Sequence, residues 1–292
     1  MRVSIVEPDR MGESQLPDGR LLAWAEWGPP DGIPVLLCPG AATSRRMGFG
    51  AGVVAPLGVR LVSVDRPGLG ASDPLPGRTL WDWAADTRAL AEVRGLAGVG
   101  VVGYSQGAPF ALACAADGPA SAAAVVSGCD ELAAPGFARS LLPEVRDMVT
   151  HAARDPAAAE ADFAAFGNAE TLWRLITGTS SEVDRAIYRQ PAFERAFRRA
   201  MAEAFIQGPA GYGRDTLLSM TRWPFDPADI TVPVDLWYGQ QDTSPTHSPD
   251  LGATLAGRLR TARHHVVPDA GGALLWTHAR QILRSLLELL QD

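Results

Sequence analysis

The sequence predicts an α/β domain with a mainly parallel sheet and helices on both of its faces. Three observations carry that prediction. Four short apolar runs, Pro34–Cys38, Arg60–Asp65, Val99–Gly103 and Ala122–Ser127, are too uniformly apolar for strands wetted on one face, as expected where both faces of a sheet are covered. Stretches with helical spacing separate the later runs: Leu80, Trp83, Ala84, Leu90 and Val93 share one side between Thr79 and Leu96, and Ala108 to Ala116 is helix-like. Strand–helix–strand alternation is the signature of a doubly covered parallel sheet.

The elements follow in order. Leu16-Pro17-Asp18-Gly19-Arg20 reads as a turn between two strands, the second running from Arg20 to Gly28. The four apolar runs then make strands three to six. From Glu131 to about Trp223 no strand pattern recurs, and helical blocks rich in Ala, Arg, Glu and Phe are punctuated by Pro156, Gly167, Gly178, Pro191 and Gly208. Strands resume at Val232–Gly239 and His264–Pro268, and Arg280 to Leu290 closes the chain as an amphipathic helix. This predicts a core from residues 1–130 and 224–292, with an all-helical cap over 131–223 inserted after strand six. Such an insert sits above the carboxyl ends of the strands, where open α/β sheets bind ligands, so it reads as a lid.

Composition bounds the partners. The 292 residues carry 26 basic and 33 acidic side chains, a formal charge of −7, which leaves no basic footprint for nucleic acid. Three cysteines, Cys38, Cys114 and Cys129, lack the spacing of a disulfide framework or a zinc site. Free thiols, an amino-terminal stretch that reaches Glu7 and Pro8 before any long apolar run, and the absence of a 20-residue apolar segment together predict a cytoplasmic protein without membrane attachment. No cofactor or metal motif is present, and the expected partner is a small-molecule acyl substrate.

The sharpest chemical signal is Gly103-Tyr104-Ser105-Gln106-Gly107. The G-x-S-x-G spacing follows an apolar strand and opens a helical run, the context that gives the pattern meaning. A strained turn lifts the Ser105 hydroxyl above the sheet, and the glycines let strand and helix approach closely. The backbone N–H of Gln106 then lies at a helix amino terminus, able to face a developing oxyanion. A second block, Asp65-Arg66-Pro67-Gly68-Leu69-Gly70-Ala71-Ser72-Asp73, follows the preceding strand. A dinucleotide reading of Gly68-x-Gly70 fails for want of the third glycine.

On these blocks the chain resembles the α/β-hydrolase superfamily along nearly its whole length, and more narrowly its cap-bearing esterase, thioesterase and proline-iminopeptidase members. The resemblance implies an α/β-hydrolase fold and a nucleophile, acid, base order of Ser, Asp or Glu, His. A third block, Leu36 to Arg45, departs from the family at Pro39, where a non-catalytic turn histidine is usual; by position, Ala41 would supply the second oxyanion amide. Cys38 beside it reads as a buried strand-end thiol. The acid would be Asp242, just past the strand that follows the cap, with Asp130 after the sixth strand as a rival.

The base is the departure that matters. The family's histidine loop here reads Pro268-Asp269-Ala270-Gly271-Gly272-Ala273-Leu274-Leu275-Trp276, without histidine. Ala273 falls in the histidine place, with Gly272 the next alignment, so the chain is expected to lack its catalytic base and to be inactive or strongly impaired, as a His-to-Ala variant would be. His247 is an alternative base, but its nearness in sequence to Asp242 favours a place on the rim. His264, His265 and His278 read as structural or surface residues. Two functions follow: a serine hydrolase of a small ester, thioester, lactone or amide, or, should Ala273 be native, a non-hydrolytic acyltransferase, cyclase or ligand-binding protein on the same fold.

Overall fold

The computed structural model describes residues 2–291. Its centre is an eight-stranded sheet, β1 (Arg10–Gln15), β2 (Leu21–Trp27), β3 (Ile33–Cys38), β4 (Val59–Val64), β5 (Val99–Tyr104), β6 (Ala120–Val126), β7 (Val234–Gly239) and β8 (Ala262–Val267), in the order β1-β2-β4-β3-β5-β6-β7-β8. The first hairpin and the β2–β4 pair are antiparallel, and every other pair is parallel. Register aligns Leu36 with both Val62 and Val101, so the three strands that carry the earliest apolar runs form the middle of the sheet.

Alternation along each strand divides the core in two. Val35, Leu37, Val102 and Tyr104 face one side, with Leu283 and Leu286 of the closing helix. Leu36, Cys38, Val99 and Val101 face the other, beneath Leu80 and Trp83 of α1 (Leu80–Val93) and Phe110 and Leu112 of α2 (Ala108–Asp117). Side chains of successive strand residues point to opposite faces, so a run apolar at every position is buried from both sides. Thr79 caps α1 through a reciprocal pair of bonds with Asp82, the capping box that satisfies two otherwise orphaned donors. Val93, at the end of that helix, is exposed rather than on the core stripe.

Between β6 and β7 lie six α-helices, two short 3-10 turns and no strand: α3 (Pro143–Arg154), α4 (Pro156–Phe166), α5 (Ala169–Thr179), α6 (Glu182–Tyr188), α7 (Pro191–Ala204) and α8 (Ala210–Met220). Prolines open α3, α4 and α7, where the missing N–H costs nothing. Gly178 does not separate helices but sits in the last turn of α5. An aromatic cluster joins this insert to the core: Phe193 and Phe197 of α7 pack on Trp276 at ring separations of 5.0 and 5.8 Å, and Tyr104 meets the same indole at 4.7 Å. The insert's arginines are mostly on the outside, paired as Arg174–Glu170, Arg185–Glu182 and Arg198–Glu194. After β7 come α9 (Ala253–Arg258), α10 (Leu274–Thr277) and α11 (Ala279–Leu289). Among the described residues no helix is long and apolar enough to cross a membrane.

Candidate active site

The carboxyl ends of β3, β5 and β7 converge beneath the helical insert, and each supplies part of one site. At the end of β5 the chain turns through Ser105, whose φ of +51° lies in the left-handed region, a conformation that costs a non-glycine residue energy and persists where packing enforces it. The enforcement is visible. A methyl group on Gly107 would lie 2.0 Å from the Cys38 carbonyl oxygen, and one on Gly103 would lie 2.6 Å from the Ala111 Cβ. Helix α2 therefore closes down on β5 and β3 as it can only where both flanking residues are glycine.

Asp242 lies three residues beyond β7, and His247 lies in the same loop. The His247 imidazole spans the gap between acid and hydroxyl: Nδ1 is 2.6 Å from Asp242 Oδ2, and Nε2 is 2.8 Å from Ser105 Oγ. An ionised carboxylate only accepts, so Nδ1 carries the ring proton, and Nε2 of the neutral ring accepts from the serine hydroxyl. The Ser244 N–H donates to the other oxygen of Asp242 at 3.0 Å. Both side chains of the His247–Asp242 pair are buried, 9% and 3% exposed, so little water competes for these bonds.

Ala41, just past the end of β3, and Gln106, the residue after Ser105, line the same cavity as Ser105. Among the described residues the Ala41 N–H has no acceptor. The Gln106 side chain reaches Thr216 of α8 at 3.3 Å, and its carbonyl oxygen is buried without a partner.

The cavity has a volume of about 600 Å3, within the range of sites for drug-sized molecules. Ser105 and His247 lie at its floor. Val145, Met148, Phe163, Leu172, Ile176 and Met220 of the insert form most of its wall. Leu142, Phe166 and Leu175 are also in the wall and exposed, beside the exposed acids Glu144 and Asp162. No arginine or lysine lines it. Its acids are Glu144, Asp162, Asp184 and Asp242. Among the described residues no group of histidine, cysteine and acidic side chains is arranged to hold a metal ion.

A sequence model of the Alpha/beta hydrolase family matches residues 35–284. The chain belongs to this family. Proline iminopeptidase of Neisseria gonorrhoeae is 33% identical over 121 residues, a match covering 39% of this chain and 38% of that protein; the chain thus spans little more than a third of this curated relative. An esterase from Exiguobacterium antarcticum superposes with a TM-score of 0.65 at 16% identity, over 97% of this chain and 100% of that one. A bromoperoxidase from Bacillus anthracis does so with a TM-score of 0.68 at 18% identity and the same coverage. Both likenesses are to the α/β-hydrolase fold.

Against the family pattern one expectation must be corrected. The chain does not lack an imidazole beside Ser105, because the His247 ring lies within hydrogen-bond distance of its hydroxyl. The rim position argued from its nearness to Asp242 is wrong: the turn after Ser244, closed by a His247 N–H bond to the Ser244 carbonyl at 3.4 Å, folds the ring back over the acid. Ala273 is not a vacated base position in the cavity wall. It is 1% exposed, belongs to the hydrophobic cluster with Tyr104 and Trp276, and donates its N–H to Asp184 Oδ1 at 2.8 Å. Its neighbour Gly272 does face the cavity, and a Cβ there would lie 3.1 Å from Asp242 Oδ1.

The remaining candidates separate cleanly. Asp130 is buried away from the cavity wall, one oxygen taken by the Glu131 N–H at 2.7 Å and the other unpartnered, and burial pushes its carboxyl up to about 6. Cys38 is fully buried, its thiol pushed up by desolvation, and Cys129 in the cavity wall is pushed up to about 12. Such thiols are poor nucleophiles. His265 stacks on Trp237 at 4.0 Å, and His264 bonds the Leu251 carbonyl at 2.7 Å.

Two features of the site carry no motif. Asp184 of α6 accepts from the Gly272 and Ala273 amides and from the Ser181 hydroxyl, each at 2.8 Å. Tyr104 donates to the Gly272 carbonyl at 3.1 Å. The only hint in the sequence is the Gly271-Gly272 pair: a Cβ on Gly271 would strike the Asp184 carboxylate at 2.3 Å.

Proposed function

We propose that this chain is an active serine hydrolase of neutral, apolar acyl compounds, working through Ser105, His247 and Asp242. The observation that carries the reading is the continuous series of hydrogen bonds from Asp242 through His247 to the Ser105 hydroxyl. Ser105 Oγ attacks the substrate carbonyl carbon while its proton passes to His247 Nε2, and Asp242 stabilises the imidazolium that results. The carbonyl oxygen, now negative, takes hydrogen bonds from the Ala41 and Gln106 amides. His247 then returns the proton to the departing oxygen, sulfur or nitrogen, leaving an acyl-serine. Water attacks that acyl group, its proton again going to His247, and the collapse of the second tetrahedral intermediate frees the acid and restores the Ser105 hydroxyl.

The wall supports the substrate class. With no cationic side chain in it, a substrate carboxylate has no partner there. The acids offer little to a substrate amine: Asp184 is taken by two amides and a hydroxyl, Asp242 by His247, Asp162 is an exposed residue paired with His151, and Glu144 is exposed. What remains is apolar surface, which rewards an uncharged hydrocarbon or aromatic group at about 25 cal/mol per Å2 removed from water. A helical cap over 131–223 encloses this acyl pocket. The non-hydrolytic alternative drew its weight from a missing base, and an imidazole bonded to both Ser105 and Asp242 removes that reason.

A fluorophosphonate probe and a series of p-nitrophenyl esters test the reading. The parent protein is expected to be labelled and Ser105→Ala not, with kcat/KM rising from acetate to medium-chain esters. Labelling that survives Ser105→Ala, or a preference for charged acyl groups, overturns it.

A further inference from the structure

We infer that Arg66, held by Asp215 of α8, is a positioning residue for the oxyanion site: it orients the peptide that presents the Ala41 N–H. The inference rests on the serine-hydrolase reading above and concerns groups outside the hydrogen-bonded series of acid, base and nucleophile. Arg66 follows β4 and is 1% exposed, and Asp215 is fully buried. The guanidinium makes three bonds. Nε donates to Asp215 Oδ2 at 2.7 Å, Nη1 to the Pro39 carbonyl at 2.6 Å, and Nη2 to the Gly40 carbonyl at 3.1 Å. Its carbon sits 4.6 Å from the centre of the Phe110 ring, which limits its movement on that side. Asp215 in turn takes a bond from Arg78 at 2.5 Å.

The decisive point is the Gly40–Ala41 peptide. A trans peptide is planar, and its C=O and N–H point in opposite directions. Fixing the Gly40 carbonyl on Arg66 therefore aims the Ala41 N–H away from Arg66, and Gly40 and Ala41 both border the cavity that holds Ser105. The Ala41 N–H has no acceptor of its own in the described residues, as a donor reserved for substrate would not. Where the family pattern has a turn histidine, this chain has Pro39, which has no side-chain hydrogen-bonding group. Arg66 instead bonds the carbonyls of this turn from below. A planar fork with fixed geometry suits two carbonyls and a carboxylate at once, as a lysine ammonium does not. Because Asp215 and Thr216 are adjacent on α8, and Thr216 holds the Gln106 side chain, one helix of the insert is tied to both sides of the oxyanion site.

The experiment compares Arg66→Lys and Asp215→Asn with the parent protein. A neutral p-nitrophenyl ester reports kcat and KM. An alkylboronic acid, which forms a tetrahedral adduct on a serine and so reports the oxyanion site, gives an inhibition constant. Removing an oxyanion donor costs about two to three decades in kcat, so misaiming one should cost less. The expected result is a ten- to hundredfold fall in kcat, KM within about threefold, and boronate affinity weakened by nearly the same factor as kcat. A purely structural ion pair would lower the melting temperature while leaving kcat per folded molecule and boronate affinity unchanged, and that outcome overturns the inference. Asp215→Asn keeps the side-chain shape and an acceptor oxygen, so it supplies the test if Arg66→Lys folds poorly. Failure of the underlying reading is seen separately, as a parent protein that neither turns over the ester nor binds the boronate.

Discussion

The assignment of the base makes opposite demands on two positions, and His247→Ala with Ala273→His tests both. His247 makes two short bonds, 2.6 Å to Asp242 and 2.8 Å to Ser105. Among the described residues His247 is the side chain that bonds Ser105 Oγ, so on the proposed reading the expected loss is that of a triad base, about four to six decades in kcat, or roughly 5–8 kcal/mol of transition-state stabilisation. Stability should suffer far less. The Asp242 carboxylate keeps its bond from the Ser244 amide, so stranding its other oxygen costs about 1–3 kcal/mol. Ala273→His should do the reverse. The methyl group lies in a closed hydrophobic cluster, and an imidazole there overpacks the core by roughly 1–3 kcal/mol without raising kcat. Initial rates on p-nitrophenyl butyrate, with urea titrations alongside, measure both. A His247→Ala protein within tenfold of the parent refutes the assignment, as does Ala273→His raising activity or rescuing His247→Ala.

Two predictions concern the scaffold. Gly107→Ala places a methyl 2.0 Å from one backbone oxygen and 2.7 Å from another, those of Cys38 and Pro39, so it should cost about 3 kcal/mol or more, or prevent folding; a urea midpoint equal to the parent's would show that the elbow is looser than described. Asp130 ionises near pH 6 in the folded protein against an ordinary value of 3.8. The folded state thus holds its proton longer than the unfolded chain, and stability falls as pH rises from about 4 to about 6, then stays lower by up to about 3 kcal/mol. Asp130→Asn keeps the acceptor for the Glu131 amide, so it should leave the melting temperature unchanged near pH 3.5 and raise it by several degrees at pH 8; an equal shift at both pH values refutes the cause.

The parts legible in the sequence are those set by local pattern. Continuous apolar runs marked the buried parallel strands because covering both faces removes the alternation that wetting imposes. Ser105 was legible because its strained turn demands glycines at 103 and 107, and steric demands write themselves into composition. His247 was misplaced for the opposite reason. Whether a side chain five residues beyond an acid reaches back over it depends on the turn through Thr243, Ser244 and Pro245, and no periodicity records a turn of that kind. Family spacing pointed to 273 instead, and position 273 proved to be core. Arg66 and Asp215 are 149 residues apart; each reads alone as an ordinary charged residue, and only the fold gives the pair its meaning.

The presence of Asp242 and His247 on one loop changes what must be assembled to make the site. The relation of the imidazole to Asp242 is set within six residues, by the Ser244 amide on Asp242 and by the turn bond from His247 to Ser244. Only the bond from His247 to Ser105, across 142 residues, needs the tertiary fold. Bringing together two chain segments costs less loop-closure entropy than bringing together three. The loop between β8 and α10 makes other bonds: its Gly272 and Ala273 amides anchor Asp184 of α6, and its Gly272 carbonyl takes the Tyr104 hydroxyl. In this chain the segment that the family pattern reserves for the proton carrier fastens the helical insert to the core. A perturbation of that segment should therefore be felt first in the shape of the cavity, and at the His247 ring only after the insert itself has shifted.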